Sequence, residues 1–452
     1  MPPTIRELIA IVAALVSGGA AVFVLTDSRT ANWVGYATAG SSDGWWTDSS
    51  TGAALGAVAA VCACSLGALR GSRRSGWGAV ALSGVIVVAL TLLARTIDSV
   101  GVFETAHVVR CLAAGAMLGA AVAACWGRIP LQAAVTAGAL TAVVCSPVRS
   151  QNFGWTAYSP LTSHDPSFVR LGDPNWWLLG GAVVLAVAAT ATTQSRFLMQ
   201  RSDRRTVKIA IGGAVVFVIT NRLLAEWIVR DAFHVYRSRV WLAVFISAAI
   251  VLAVGLVVAR LAGPGAGTFV LVGLGITATV VMIVRDVKVT PPTFPTQSLV
   301  LTAVVAAIVG LRVSRIRPNA LLGLGVLALV PVLSVIWPVF ANTGFGMTVR
   351  IAVVTAAAGY ALGSAYPGAS PFAAFGLAVV FSSTALTAAA SVPETRRVEY
   401  AFLGDGPLMR IDALGDPGEY RVSALAMLLV IAVCAVGVVA LRRGTADAAI
   451  RA

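Results

Sequence analysis

Fourteen separate stretches of this chain are predominantly apolar for close to the roughly 20 residues that a helix needs to cross the hydrocarbon of a bilayer. They lie at 7–26, 51–69, 77–95, 106–126, 130–147, 176–194, 207–225, 239–260, 264–284, 296–313, 319–339, 346–364, 370–390 and 421–441. Lipid offers no hydrogen bonds to a bare backbone, so each stretch is expected to be a helix that satisfies its own amides. The expected fold is all-α, a polytopic integral membrane helix bundle of about 14 transmembrane helices forming a single transmembrane domain over residues 1–452. Composition agrees. Only 12% of residues are charged and 58% are hydrophobic, against roughly a quarter charged in a soluble domain, and the mean hydropathy is +0.87.

The net charge of +14 suggests nucleic acid only until the charges are placed. With the N-terminus inside, the connections on that side hold seventeen cations and three acids, among them Arg70, Arg73, Arg74, Arg128, Arg204, Arg205, Arg315 and Arg317. The other side holds sixteen of each sign. The whole excess therefore lies on one face, as the positive-inside rule requires, and both termini are expected in the cytoplasm. Nine of the eleven tryptophans fall on the outer side, an aromatic belt biased outward. No nucleic-acid partner is needed to explain the charge. A bias toward Ala, Val, Gly and Arg over Lys points to a high-GC bacterial genome, and hence to a bacterial inner membrane.

Two outer helix entrances match. Glu104, His107 and Arg110 recur 127 residues later as Asp231, His234 and Arg237, with Arg95 matching Arg222 upstream. A third entrance keeps only Arg350. Farther apart, Leu171-Gly172-Asp173-Pro174 returns as Leu414-Gly415-Asp416-Pro417, eight spans later. Both fit parallel repeats of four helices, with expected units 1–128, 129–260, 261–365 and 366–452. A shift of four crossings preserves orientation in the membrane.

Familiar catalytic signatures are missing: no P-loop, no G-x-G-x-x-G after a strand, no H-E-x-x-H and no G-x-S-x-G. Three histidines exclude a His-rich metal centre, and neither metal nor cofactor is expected. The six cysteines, Cys62, Cys64, Cys111, Cys125, Cys145 and Cys434, lie in or beside apolar runs and read as small packing residues. Candidate substrate-binding residues are therefore the matched polar groups: Arg95, Glu104, His107 and Arg110, then Arg222, Glu226, Asp231, His234 and Arg237, and Arg350. Helical spacing lets each acid meet its histidine and each histidine its arginine, and paired arginines suit a phosphate or carboxylate. The same residues could instead snorkel to headgroups and satisfy one another.

The first outer loop carries Asp27, Asp43 and Asp48. In span number and in these loop acids the chain resembles membrane glycosyltransferases that use lipid-linked sugars. That resemblance implies an outer-face active site, with Asp43, Asp48, Asp173 and Asp416 as candidate acids. The expected function is a bacterial inner-membrane transport or flippase-type protein for an anionic or amphipathic envelope substrate, lipid-linked cargo being one candidate, rather than an enzyme. Its expected partners are membrane lipids, that substrate and partner subunits. The alternatives are the lipid-donor enzyme and a non-catalytic subunit or assembly factor of a membrane complex.

Overall fold

The computed structural model describes residues 3–26, 49–70, 72–93, 100–151, 175–193, 201–232, 237–289, 294–337, 344–402 and 417–451. Fifteen helices occupy them, and no strand is present among the described residues. They are α1 (Pro3–Thr26), α2 (Ser49–Arg70), α3 (Arg73–Leu93), α4 (Val100–Cys125), α5 (Ile129–Gln151), α6 (Trp176–Thr192), α7 (Arg204–Ala232) and α8 (Arg237–Ala262). The chain continues with α9 (Pro264–Val289), α10 (Thr296–Ile316), α11 (Ala320–Ile336), α12 (Gly344–Gly363), α13 (Ser370–Ser382), α14 (Thr384–Phe402) and α15 (Pro417–Arg451). Twelve apolar segments are long enough to cross a membrane, one of them running through α13 into α14 as far as Pro393. α6 and α11 are equally apolar but have 17 residues, about 25 Å of helix and the lower limit for a crossing. These fourteen segments coincide with the fourteen apolar stretches of the sequence.

The break between α13 and α14 was not foreseen. It falls at Ser383, whose hydroxyl donates to Val379 O at 2.7 Å. A hydroxyl that occupies a carbonyl of the preceding turn bends a helix. The six cysteines are all free, and five of them are buried.

α9 lies at the centre: 94% of its apolar stretch is buried, against 33% of α10. A helix that is hydrophobic all round belongs in the interior, while one with an exposed apolar face meets lipid. Close packing here depends on small residues, because lipid removes the hydrophobic drive between helices and leaves van der Waals contact. A Cβ at Gly115 of α4 would stand 2.1 Å from Gly56 O of α2, and one at Gly119 would stand 2.0 Å from Ala60 O. The pair α10 and α12 meets in the same way: a Cβ at Gly310 would stand 2.0 Å from Ala356 O. α1 packs on α5 through Gly18 and Gly138, and α9 packs on α13 through Gly273 and Gly376. α6 touches α1 and α3, just as α15 touches α9 and α11.

Hydrogen bonds draw the basic connections together at one end. Arg73 donates to Trp126 O at 3.2 Å, Trp126 to Pro367 O at 2.9 Å, and Arg315 to Ile129 O at 3.0 Å. Tyr360 donates to Arg317 O at 2.5 Å. Two turns at this end need a left-handed residue after the helix and use glycine there, Gly127 (φ 83) and Gly263 (φ 85). At the far end Ser146 donates to Thr26 O at 3.4 Å, and the polar groups described next are buried.

Candidate functional site

Three helices bring parts of both expected clusters to one place at the far end. Arg222, on the last third of α7, is buried and donates from Nε to Thr51 Oγ1 of α2 at 2.9 Å. The next residue of α2, Gly52, faces α4: a Cβ there would stand 3.1 Å from His107 Nε2 and 2.9 Å from Cys111 Sγ. One turn of α2 thus carries Arg222 on one residue and His107 on its neighbour. His107 and Arg110 are both buried, at 6% and 5% exposure, and His107 Nε2 lies 3.7 Å from Cys111 Sγ. Arg222 Nη1 reaches Glu226 Oε2 at 3.8 Å, as the four-residue spacing predicts, and Glu226 Oε1 takes a closer bond of 2.5 Å from Arg230. Arg230 was missed in the sequence, although it stands one turn beyond Glu226. Asp231 is half-buried at the end of α7.

The side chains of Glu104 and Arg237, together with Arg95 and His234, lie outside the described residues, as do the loop acids Asp43, Asp48, Asp173 and Asp416.

Arg350 takes part in a second and more deeply buried group. It sits on α12 with Nη1 2.7 Å from Asp286 Oδ2 of α9, and it donates from Nη2 to Ser334 Oγ of α11 at 3.3 Å. The other carboxylate oxygen, Asp286 Oδ1, accepts from Arg285 Nε at 3.0 Å and Nη2 at 2.7 Å. Arg285 is 2% exposed, Asp286 6% and Arg350 8%. The guanidinium of Arg285 also lies 4.8 Å over the ring of Tyr420 at the start of α15, a cation–π contact strengthened by desolvation. Glu419, beside Tyr420, is buried as well.

Each element has a local reason for its place. α9 keeps its helical hydrogen bonding past the apolar run through Val289, which carries the Arg-Asp dipeptide inward rather than into a loop. Pro331 within α11 removes a backbone donor, and Ser334 Oγ bonds to Val330 O at 3.1 Å in the turn beside it, leaving that hydroxyl oxygen to accept from Arg350.

Two arginines thus share one aspartate where α9, α11, α12 and α15 meet. Arg285 Nη1 and Arg350 Nε are buried with no hydrogen-bond partner among the described residues. Each such donor costs about 1–3 kcal/mol of desolvation, more when charged. Both atoms are closed off from solvent in this conformation, so an anionic oxygen reaches them only when the surrounding helices part. Among the described residues no set of three His, Cys, Asp or Glu side chains is placed to hold a metal ion.

No protein-family model matches the sequence, and no curated protein matches it. Among solved structures, the chain is similar to the major facilitator superfamily proton:xylose symporter XylE bound to 6-bromo-6-deoxy-D-glucose, with 11% identity, TM-score 0.47 and 94% of each chain covered. It is also similar to the human organic anion transporter MFSD10 (TETRAN), with 13% identity, TM-score 0.43, 96% of this chain covered and 100% of the other. Likeness at this level carries no argument about substrate or mechanism.

Proposed function

We propose that the protein is a multi-pass transporter of the bacterial inner membrane that receives an anionic or amphipathic small molecule at its outer end. The observation that carries this reading is the buried Arg285–Asp286–Arg350 group. Buried ion pairs are often no better for stability than apolar residues of the same volume. Ionisable groups inside membrane helices, by contrast, mark substrate and ion paths. Two planar guanidinium groups with unused N–H donors match a carboxylate or phosphate better than a neutral polyol.

Packing supports a frame for such movement. The main contacts of α1–α6 recur among α9–α15 at an offset of eight crossings. On this reading two parallel halves are related by an axis along the membrane normal, with α7 and α8 between them. Arg110 on α4 and Arg350 on α12 then hold equivalent places. The basic end faces the cytoplasm, and both termini lie there. A lipid-linked envelope precursor is one cargo of the right charge and amphipathicity.

Binding is tested by thermal stabilisation of the detergent-purified protein with inorganic phosphate, glucose 6-phosphate, succinate and glucose. At least one anion is expected to raise the melting temperature of the wild type and not that of Arg350→Gln, with glucose inert. Stabilisation by glucose alone, or equal stabilisation of wild type and variant, would overturn the anionic-site reading.

A further inference from the structure

A groove of about 400 Å³ runs between α7 and α8 near the basic end, and none of its lining residues belongs to the arginine clusters. Ile209, Gly212 and Val216 form one wall, and Val254, Val257 and Leu261 form the other, with no polar side chain between them. It opens outward, because Val216, Val257 and Leu261 are 52%, 56% and 60% exposed. Helical spacing extends each wall to a cation. Arg205 stands four and seven residues before Ile209 and Gly212, hence on the same stripe, and Arg260 stands three after Val257. Both arginines are exposed, as are the neighbouring Arg204 and Lys208.

Gly212 is the telling residue. A glycine inside a helix costs stability relative to alanine, and close helix packing usually explains it. Gly213 has that explanation, since a Cβ there would stand 2.8 Å from Val258 Cγ1. A Cβ at Gly212 would meet nothing within 4 Å. Gly78, Gly180, Gly181 and Gly325 face open space in the same way, but Gly212 is the one whose open side lies in the groove.

We propose that this groove holds an acyl chain of an anionic phospholipid from the cytoplasmic leaflet, with the phosphate between Arg205 and Arg260. The walls match a hydrocarbon chain and nothing polar. The cations stand only at the mouth, at the depth where headgroups lie. An anionic headgroup gains from cations near the surface, and a zwitterionic one gains much less. The lipid would also fill the joint between the two helices that separate the proposed halves.

The test is native mass spectrometry of the full-length protein exchanged into micelles with phosphatidylglycerol or phosphatidylcholine. One phosphatidylglycerol is expected to stay bound after detergent removal, and phosphatidylcholine is not. Gly212→Leu projects into the groove, where a Cβ meets nothing within 4 Å, and should abolish retention while leaving anion binding unchanged and the melting temperature no lower than that of the wild type. Arg205→Gln with Arg260→Gln should weaken retention about thirtyfold, the worth of two cations beside anionic headgroups. Equal retention of both lipids, unchanged retention in Gly212→Leu, or a dimer in place of the lipid would overturn the proposal. Because the groove shares no residue and no helix with the Arg285–Asp286–Arg350 group, failure here leaves the substrate reading standing, and the reverse also holds.

Discussion

Replacing Asp286 with asparagine keeps the shape of the side chain and removes the charge shared by two buried guanidinium groups. In the wild type its oxygens lie 2.7 Å from Arg285 Nη2 and 2.7 Å from Arg350 Nη1. Breaking a buried pair by removing one partner costs about 3–5 kcal/mol, because the remaining charge is stranded away from water. Here two arginines are left, at 2% and 8% exposure, so Asp286→Asn should lower the melting temperature of the detergent-solubilised protein by many degrees. The surface pair gives the control. Arg230 is 73% exposed beside Glu226, a setting worth about 0–1 kcal/mol, and its removal leaves Glu226 with Arg222, so Arg230→Gln should scarcely move it. The variant also tests the anion reading, since an added anion can stand in for the lost carboxylate. Inorganic phosphate should restore Asp286→Asn more than it raises the wild type, a comparison that removes the general stabilising effect of the salt. Equal stability of Asp286→Asn and Arg230→Gln, or equal response of variant and wild type to phosphate, would refute the shared-aspartate assignment.

Gly115→Leu should impair folding and abundance, because a Cβ there already meets Gly56 O at 2.1 Å and overpacking costs about 1–3 kcal/mol or more; a fluorescence-detected chromatography profile reads it. Tyr366, on the connection after α12, is held protonated by burial, which pushes its phenol up to about 12, partly countered by a hydrogen bond with Thr136. A pKa raised on folding gives stability that is full below the unfolded value of about 10 and lost as pH rises through the folded value. The wild type should therefore lose stability relative to Tyr366→Phe between about pH 10 and 12, measured by thermal melts across that window. Reporters fused after Arg74, Arg205 and Arg317 and at the C-terminus should read as cytoplasmic, and those near Ser42, Ser163 and Asp405 as periplasmic.

The spans were legible because hydrocarbon thickness imposes a length that apolar runs display directly. Partner choice was not. Helices that are apolar all round carry no facing stripe, and the contact of Gly56 with Gly115 becomes informative only once α2 lies beside α4. Arg222 with Glu226 was readable as a four-residue pair on one helix. Asp286 was not, because Arg285-Asp286 at the end of an apolar run looks like an interface anchor, and the partner that buries it stands on another helix. A signal was present all the same: Arg350 is the one charged residue within 344–363, and a lone arginine in a membrane helix needs a carboxylate or carbonyl from elsewhere.

Transport itself is tested most directly in proteoliposomes on a solid-supported membrane, where a concentration jump of each compound is read as a transient current. A current is expected with inorganic phosphate, glucose 6-phosphate or succinate, none with glucose, and loss of the response in Arg350→Gln inserted at wild-type density. Silence with every anion, or a current that survives in Arg350→Gln, would contradict it.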